Sequence, residues 1–297
     1  MEGLDQVTKE FSFEDEKKIA IKFTTRFQWE MMLIGLGQLI IWLTLWPLVI
    51  YNYISLPIGS FLAIICACFA YLPSHEAQHN NFSRGKPNKQ WIDLTVGHLS
   101  LITLMFPFDL MKCTHMKHHA HTNIPEKDPD YPVASAKSFW EVIVRTQEGL
   151  SNYNQLIEQY KNDASFMKSF SKGVIIGMAY RIILLAMVFI FPLETFLMWW
   201  LPSKIGIIYL STYFSWYPHY QTDIGRYKNT RFWSNWAPRY INHSMQLHFI
   251  HHLHPNIGHY DEPRAIEALK PYLIARNVPG ADKIPEKICF NPLIKTN

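Results

Sequence analysis

Residues 31–51 read MMLIGLGQLIIWLTLWPLVIY and contain no charged side chain. A helix of this length rises by roughly 30 Å, which is the thickness of the hydrocarbon core of a bilayer. A second apolar run, residues 57–72, follows after a short uncharged turn. The two runs predict a transmembrane hairpin whose second helix ends where the sequence HEAQH, residues 75–79, begins.

Two later apolar runs predict a second hairpin. One covers residues 173–191 and is interrupted by Arg181, and the other covers residues 196–217 and is interrupted by Pro202 and Lys204. Charged residues make up 18 % of the chain, against about 25 % in ordinary globular domains. We therefore expect an all-α integral membrane protein with four transmembrane helices. A soluble helical bundle with unusually long buried helices is the alternative.

The segment between the two hairpins is apolar but polar groups interrupt it. Residues 94–111 carry His98 and Asp109 and are too short for a clean membrane span. An apolar segment of this kind is typical of a helix that lies in the membrane interface or just beneath it. We expect one interfacial helix here.

Lys and Arg are distributed unevenly around the predicted spans. Residues 1–30, 73–172 and 218–297 hold 5, 11 and 10 of the 28 Lys and Arg residues. The positive-inside rule therefore places these segments, and with them both termini, on the cytoplasmic side of the membrane. Residues 73–172 and 218–297 would then form one helical cap that carries the histidine clusters. The whole chain, residues 1–297, is expected to be a single domain.

Eleven of the 14 histidines fall in three short stretches, residues 75–79, 115–121 and 243–254. Clustered histidines are typical of metal sites. The first stretch has the spacing H-x-x-x-H, and the other two contain H-x-x-H-H. On a helix these spacings put the imidazoles on one broad face, while two adjacent histidines can point at two different metals. The candidate ligands are His75, His79, His115, His118, His119, His248, His251 and His252.

Eight imidazoles exceed the four that one tetrahedral zinc ion takes. They suit two ions of five or six coordination, although imidazole alone does not distinguish iron, copper, nickel and zinc. His219, which closely follows the last predicted span, is a ninth candidate. His243 is predicted to be a ligand or a hydrogen-bond partner of one, and His121 and His254 are predicted to orient the ligands or to face solvent.

HEAQH also matches H-E-x-x-H, a zinc protease pattern in which His75 and His79 would be ligands and Glu76 the general base. That function would leave both H-x-x-H-H units unused. A metal carrier or storage protein is a further alternative, although transporters usually place their ligands near the bilayer midplane. Both alternatives stay open from the residues alone.

The order of these clusters after a transmembrane hairpin resembles the membrane fatty-acid desaturase superfamily over residues 70–275. Three segments are most similar to the β-carotene ring hydroxylases of that superfamily: HMKHHAHTNIPEKDPD (115–130), YPHYQTDIGRYKNTR (217–231) and LHFIHHLHPNIGHY (247–260). HEAQH departs from those hydroxylases, which usually have aspartate in place of its glutamate. The resemblance implies an O2-dependent, non-haem di-iron enzyme that attacks an unactivated C–H bond. Hydroxylation of a carotenoid β-ring is the expected reaction, and acyl-lipid desaturation is the alternative.

The same resemblance implies two iron ions as cofactors and O2 as co-substrate. The nine histidines named above, His219 included, would be the iron ligands. Nine neutral imidazoles leave two iron ions with a net positive charge, which nearby carboxylates would offset while they orient the rings. The candidate carboxylates are Glu76, Asp128, Asp130 and Asp223.

The resemblance also implies partners. An apolar lipid, either a carotenoid or an acyl chain, would enter laterally from the bilayer, and Arg181 is a candidate for lining its route. An external electron donor such as ferredoxin would dock on the cytoplasmic cap, and no nucleic-acid partner is expected. Basic residues of the cap could attract an acidic protein or anchor the cap to anionic lipid. They are Lys112, Lys117, Arg226, Lys228 and Arg231.

Overall fold

The computed structural model describes residues 11–147, 149–233 and 243–288, and the regular structure in these ranges is helical. The helices are α1 (Phe13–Ile21), α2 (Trp29–Ile50), α3 (Leu56–Phe69), α4 (Tyr71–Gln78), α5 (Gln90–Ser100), α6 (Phe108–His121), α7 (Tyr131–Ala134), α8 (Phe139–Arg145), α9 (Gly149–Tyr160), α10 (Ala164–Ile190), α11 (Pro192–Thr195), α12 (Leu201–Leu210), α13 (His248–Leu253) and α14 (Glu262–Ala275). Short 3₁₀ turns cover Pro87–Lys89, Leu101–Leu104, Met245–Leu247, His259–Asp261 and Ala281–Lys283. Two π-helical segments, Phe196–Trp200 and Ser211–Trp216, flank α12.

Three helices in the described ranges are long and apolar enough to cross a membrane: Trp29–Ile50, Leu56–Gln78 and Ala164–Ile190. They contain the greater part of the first three predicted spans. The expectation that the second helix ends before HEAQH is wrong, because α3 and α4 form one 23-residue run that continues to Gln78. Pro73 lies in the first turn of α4, where proline is tolerated. The first histidine pair is therefore carried by the end of a helix that is long and apolar enough to cross a membrane.

The fourth predicted span, residues 196–217, is helical but is not one of these long apolar α-helices. It consists of α12 between the two π-helical segments. Gly206 brings α12 close to α3, since a Cβ atom at this position would lie 3.1 Å from the Cβ of Ala67 and 2.6 Å from Leu104 Cδ2. The segment therefore packs against the second membrane helix, while its own passage through a membrane stays a prediction.

The single interfacial helix expected at residues 94–111 is wrong. The chain forms α5 and α6 instead, and the two arms are bent by 100°. Met105 adopts a left-handed conformation with φ of 56°, and Pro107 precedes α6 without a backbone N–H, so the first helix cannot continue. Such a pair has the geometry of a broken span or a re-entrant loop. The bend turns α6, which carries the second histidine stretch, alongside α4.

The long helix α10 exposes most of its apolar surface. Only 6 % of its most apolar 18-residue window is buried. Ile175, Ile182 and Phe189 point outward, and a soluble monomer rarely exposes so large an apolar patch. The exposed apolar surface of α10 favours a membrane protein over the soluble helical bundle.

The N-terminal helix is tied to the C-terminal part of the described chain. Glu16 on α1 is buried and accepts hydrogen bonds from Tyr227 Oη at 2.8 Å and His254 Nε2 at 3.0 Å. Burial alone would raise the pKa of Glu16, but these hydrogen bonds hold it below its usual range. Arg276 Nη2 donates to Phe11 O at 2.8 Å. α1 is therefore part of the helical unit that surrounds the histidines.

The bend between α5 and α6 depends on Gly97. A Cβ atom at Gly97 would lie 2.3–2.6 Å from the buried Phe108 ring, so we expect Gly97→Ala to destabilise the protein by about 1–3 kcal/mol. Gly37→Ala is the matched control, because nothing lies within 4 Å of a Cβ atom at that helical glycine. Thermal unfolding in detergent should show a lower apparent Tm for the Gly97 variant only. Equal Tm values for the two variants would contradict this packing.

Candidate metal centre

Three helices and one loop bring the histidines together. His75 and His79 lie at the end of α4, and the second stretch lies on α6. The third stretch lies on α13, while His219 follows the second π-helical segment. Because residues i, i+3 and i+4 share one helix face, each helix presents its histidines to the space between α4, α6 and α13.

Five imidazoles form the first group: His75, His79, His115, His119 and His251. One ring nitrogen from each lies within 4.8 Å of those of the others. The Nε2 atom of His115 is 2.9 Å from His79 Nε2 and 3.1 Å from His119 Nε2. His119 Nε2 is also 3.0 Å from His251 Nε2. Four of the five rings therefore turn the same nitrogen toward one point.

The second group contains His118, His219 and His252, whose ring nitrogens also lie within 4.8 Å of one another. His248 adjoins this group, because its Nε2 atom is 3.2 Å from His252 Nε2. The adjacent pairs diverge as their spacing on a helix predicts. His119 and His251 join the first group, while His118 and His252 join the second. The structure thus brings all nine predicted histidines into two neighbouring groups.

The nitrogen spacing fits metal ions of high coordination number. Ligands at about 2.1 Å from an ion are roughly 3.0 Å apart when they meet at 90° and roughly 3.4 Å apart in a tetrahedron. The three Nε2 distances of 2.9–3.1 Å in the first group match the 90° arrangement. This spacing suits a five- or six-coordinate ion better than a tetrahedral one.

Buried ring nitrogens in both groups have no hydrogen-bond partner among the described residues. They include both nitrogens of His75 and Nε2 of His219. Burial, and then the neighbouring imidazoles, lower the pKa of His248 and His251 well below the usual value. Neutral rings keep a lone pair available for a metal. An unsatisfied polar atom in the interior costs free energy, and bound ions would remove that cost here.

Two members of the second group are oriented by hydrogen bonds at Nδ1, the ring nitrogen that faces away from the group. Asp128 Oδ1 lies 2.8 Å from Nδ1 of His118, and the backbone oxygen of Asn229 lies 2.9 Å from Nδ1 of His219. In both cases Nε2 is left to face the group. This is the arrangement by which proteins fix the tautomer and direction of a metal-binding histidine.

The other predicted carboxylates differ in their burial and in their contacts. Asp130 has a carboxylate oxygen near His118 and Asp128, and it accepts a hydrogen bond from Ser215 Oγ at 2.9 Å. Glu76 is buried and accepts from Asn81 Nδ2 at 3.1 Å. Asp223 is exposed on the surface.

The remaining predicted histidines lie outside the two groups. His254 pairs with Glu16, and His121 stacks against Tyr160 with ring centroids 6.4 Å apart. His243 packs beside Phe69, with 4.8 Å between ring centroids. Neither nitrogen of His243 has a partner among the described residues. None of the three contributes a ring nitrogen to either group.

The predicted basic residues of the cap are held by internal contacts. Lys117 forms a salt bridge with Asp163 at 2.8 Å, which offsets its charge. The other four donate to uncharged oxygens and keep a net positive charge. These four are Lys112, Arg226, Lys228 and Arg231.

Two cavities that share lining residues lie on the side of the histidines that faces α10 and α12. The first, of about 150 Å³, is bordered by members of both groups and by apolar side chains such as Leu210. The second, of about 350 Å³, lies between α10 and α12 and is lined by Arg181 and Lys204. Phe106 and Ile207 line both cavities. The cavity beside α10 therefore adjoins the one that the histidines border.

A model of one protein family covers most of the chain. The family is described as "Fatty acid desaturase", and its model matches residues 51–279. This range includes every histidine of both groups. The match extends from the loop after α2 to the turn that follows α14.

Curated relatives carry related descriptions. The sn-1 acyl-lipid omega-3 desaturase (ferredoxin) of Synechocystis sp. is 24 % identical over 236 residues, which is 68 % of this chain and 64 % of that protein. Fatty acid conjugase FAC2 B of Calendula officinalis is 24 % identical over 251 residues, with the same two shares. The sn-1 oleoyl-lipid 12-desaturase of Anabaena variabilis is 26 % identical over 98 residues, or 33 % of this chain and 25 % of that protein. The matches span less than two thirds of these relatives.

The two histidines at the end of α6 provide a matched test of the site. We expect His119→Ala to lower the number of iron ions bound per chain, because His119 Nε2 faces two other ring nitrogens of the first group. His121→Ala should leave the iron content unchanged, since its ring stacks on Tyr160 instead. Iron analysis of detergent-purified protein measures both. An equal loss in the two variants would contradict the assignment of His119 to the group.

His243 should make the protein sensitive to acid. Burial lowers its pKa from 6.5 to about 3, so below pH 6.5 the unfolded chain binds a proton that the folded chain does not. The free energy of unfolding therefore decreases as the pH falls, by about 1.4 kcal/mol per pH unit between these two pKa values. His243→Phe should remove this part of the pH dependence. Apparent Tm values of both proteins, at equal metal loading and from pH 7.5 to 5, give the comparison, and parallel curves would contradict it.

Proposed function

We propose a function from one established premise: the chain belongs to the fatty acid desaturase family. It is an O2-dependent, membrane-bound di-iron oxidoreductase that introduces a double bond into the acyl chain of a membrane lipid. The observation that carries this proposal is the convergence of nine imidazoles in two neighbouring groups. A zinc protease or a single-ion carrier would leave most of these rings without a role.

The relatives favour acyl-chain desaturation over carotenoid hydroxylation. Two of the three described above are named as acyl-lipid or oleoyl-lipid desaturases, and the third as a fatty acid conjugase. The β-carotene hydroxylase assignment rests on the three sequence segments around the histidines alone. We therefore take the acyl-lipid desaturase, the alternative from the sequence, as the proposed activity.

The nine histidines are the proposed ligands. His75, His79, His115, His119 and His251 would hold one ion, and His118, His219, His248 and His252 the other. Two irons, when bound, supply the activation of O2 and the removal of hydrogen from an unactivated carbon. The chain itself lowers the pKa of rings such as His248 and His251, so that they stay neutral. It orients His118 and His219 through Asp128 and the Asn229 carbonyl, and it buries most of the nine rings.

The electron count requires a partner. Conversion of –CH2–CH2– to –CH=CH– releases two electrons and two protons, while reduction of O2 to two waters consumes four of each. Two electrons and two protons must therefore come from outside the substrate. The Synechocystis relative is named for ferredoxin, and we propose a ferredoxin-like donor for this chain. The positive charges of Lys112, Arg226, Lys228 and Arg231 would attract such an acidic protein.

The proposed topology has two hairpins, with the segment around α12 as the fourth span. Both termini and the histidine cap would lie on the cytoplasmic side, as the distribution of Lys and Arg indicates. The acyl chain would enter laterally through the cavity beside α10 and pass Phe106 and Ile207. Its reacting carbons would then lie in the smaller cavity beside the histidines.

The activity is tested by expression in two hosts, one with saturated and monounsaturated membrane lipids and one that makes β-carotene. We expect a new double bond in the lipid acyl chains, detected by gas chromatography of the methyl esters, and about two irons per purified chain. His119→Ala should abolish the new product, and His121→Ala should retain it. If hydroxylated carotenoid appeared without a new double bond, a carotenoid would replace the acyl lipid as the substrate. A single bound zinc with proteolytic activity would overturn the family chemistry altogether.

A further inference from the structure

Asn123 occupies a conformation that few residues adopt. It lies just after α6 with φ of 64°, in the left-handed region where asparagine is several-fold enriched. It is largely buried. The conformation allows its backbone N–H and its side chain to contact different parts of the chain.

The backbone of Asn123 supports the partner of His118. Its N–H donates to Asp128 Oδ2 at 2.8 Å. The other oxygen of the same carboxylate lies 2.8 Å from Nδ1 of His118. Asn123 thus holds one carboxylate oxygen of Asp128, while the other oxygen contacts the His118 ring and also accepts from the Asp130 N–H at 2.8 Å.

The side chain of Asn123 supports the partner of His219. Its Nδ2 atom lies 2.9 Å from the backbone oxygens of Asp223 and Asn229 and from Thr222 Oγ1. The Asn229 oxygen is the atom that accepts from His219 Nδ1 at 2.9 Å. One amide therefore holds the loop that sets the direction of the His219 ring.

We propose that Asn123 is a positioning residue that aligns His118 and His219 together and so sets the metal affinity of the second histidine group. The inference rests on the proposed function, since it takes the two groups as two metal sites. His118 is on a helix and His219 is on a loop about one hundred residues later in the chain. Asn123 is hydrogen-bonded to the orienting partner of each. The first histidine group has no such link to Asn123 among the described residues.

Two substitutions separate alignment from backbone strain. Asn123→Asp keeps the size and tolerates the left-handed conformation, but it places a carboxylate against three oxygen atoms. Asn123→Gly keeps the backbone N–H to Asp128 and removes only the side chain. Asn52→Asp and Asn52→Gly are the matched controls, because Asn52 has φ of 60° and is exposed in the turn between α2 and α3.

The measurement is the affinity of the full-length, detergent-purified protein for each of two metal ions. Titration with Fe²⁺, and with Co²⁺ as a spectroscopic substitute, gives the two binding steps, and a chelator gives the release of each ion. Loss of a partner that orients a metal-binding histidine typically weakens metal affinity about 10–100-fold. We expect that loss for one ion in both Asn123 variants and no change in the Asn52 variants. The apparent Tm of the metal-free protein should stay close to that of the wild type.

Other outcomes overturn the inference. Two ions bound with wild-type affinity in Asn123→Asp would show that the amide does not align the histidines. Equal weakening of both ions, together with a lower Tm of the metal-free protein, would show a general role in folding. If the wild-type chain itself binds a single ion, the proposed function fails and this inference fails with it, whereas the first two outcomes leave the proposed function intact.

Discussion

The structure depends on the crowding of mostly buried imidazoles in one small space. Nε2 atoms of the first group approach within 2.9–3.1 Å, and both nitrogens of His75 lack a hydrogen-bond partner among the described residues. Rings packed in this way cannot all be protonated, because several charges in a dry interior would repel one another at high cost. Such an arrangement is tolerable when cations accept the lone pairs. The helices around the groups bring the rings close enough together for cations to accept these lone pairs.

The long apolar helices hold the histidines of the first stretch in fixed positions. α4 continues the second membrane-crossing helix, so His75 and His79 are held by a rod that is anchored in the apolar bundle. The 100° bend before α6 is needed because α6 must run alongside α4 to bring its histidines into the same space. Gly97 and Phe108 fill the inside of that bend without a gap. Packing among these apolar helices therefore fixes the positions of the ring nitrogens.

Periodicity explains which features could be predicted from the sequence. Spacing of i, i+3 and i+4 decides which side of a helix a residue occupies, so the two groups and the divergence of His118 from His119 follow from the pattern. The break at Met105 and Pro107 could not be predicted from this pattern, because the surrounding residues are as apolar as those of one continuous helix. The pairing of His254 with Glu16 also joins residues 238 positions apart, and no local pattern reports such a contact. The role of Asn229 depends on its backbone oxygen, which every residue possesses, and the side chain of Asn123 contacts a loop about one hundred residues later in the chain.

The two histidine groups differ in how they are built. Every member of the first group lies on or at the end of α4, α6 or α13, so helix packing alone assembles it. The second group needs His219, whose direction depends on a loop held by hydrogen bonds from Asn123 and Thr222. Loops open more easily than packed helices, because fewer buried contacts hold them. In the proposed di-iron protein, the second group is therefore the one whose occupancy should respond to changes in the loop of residues 219–229.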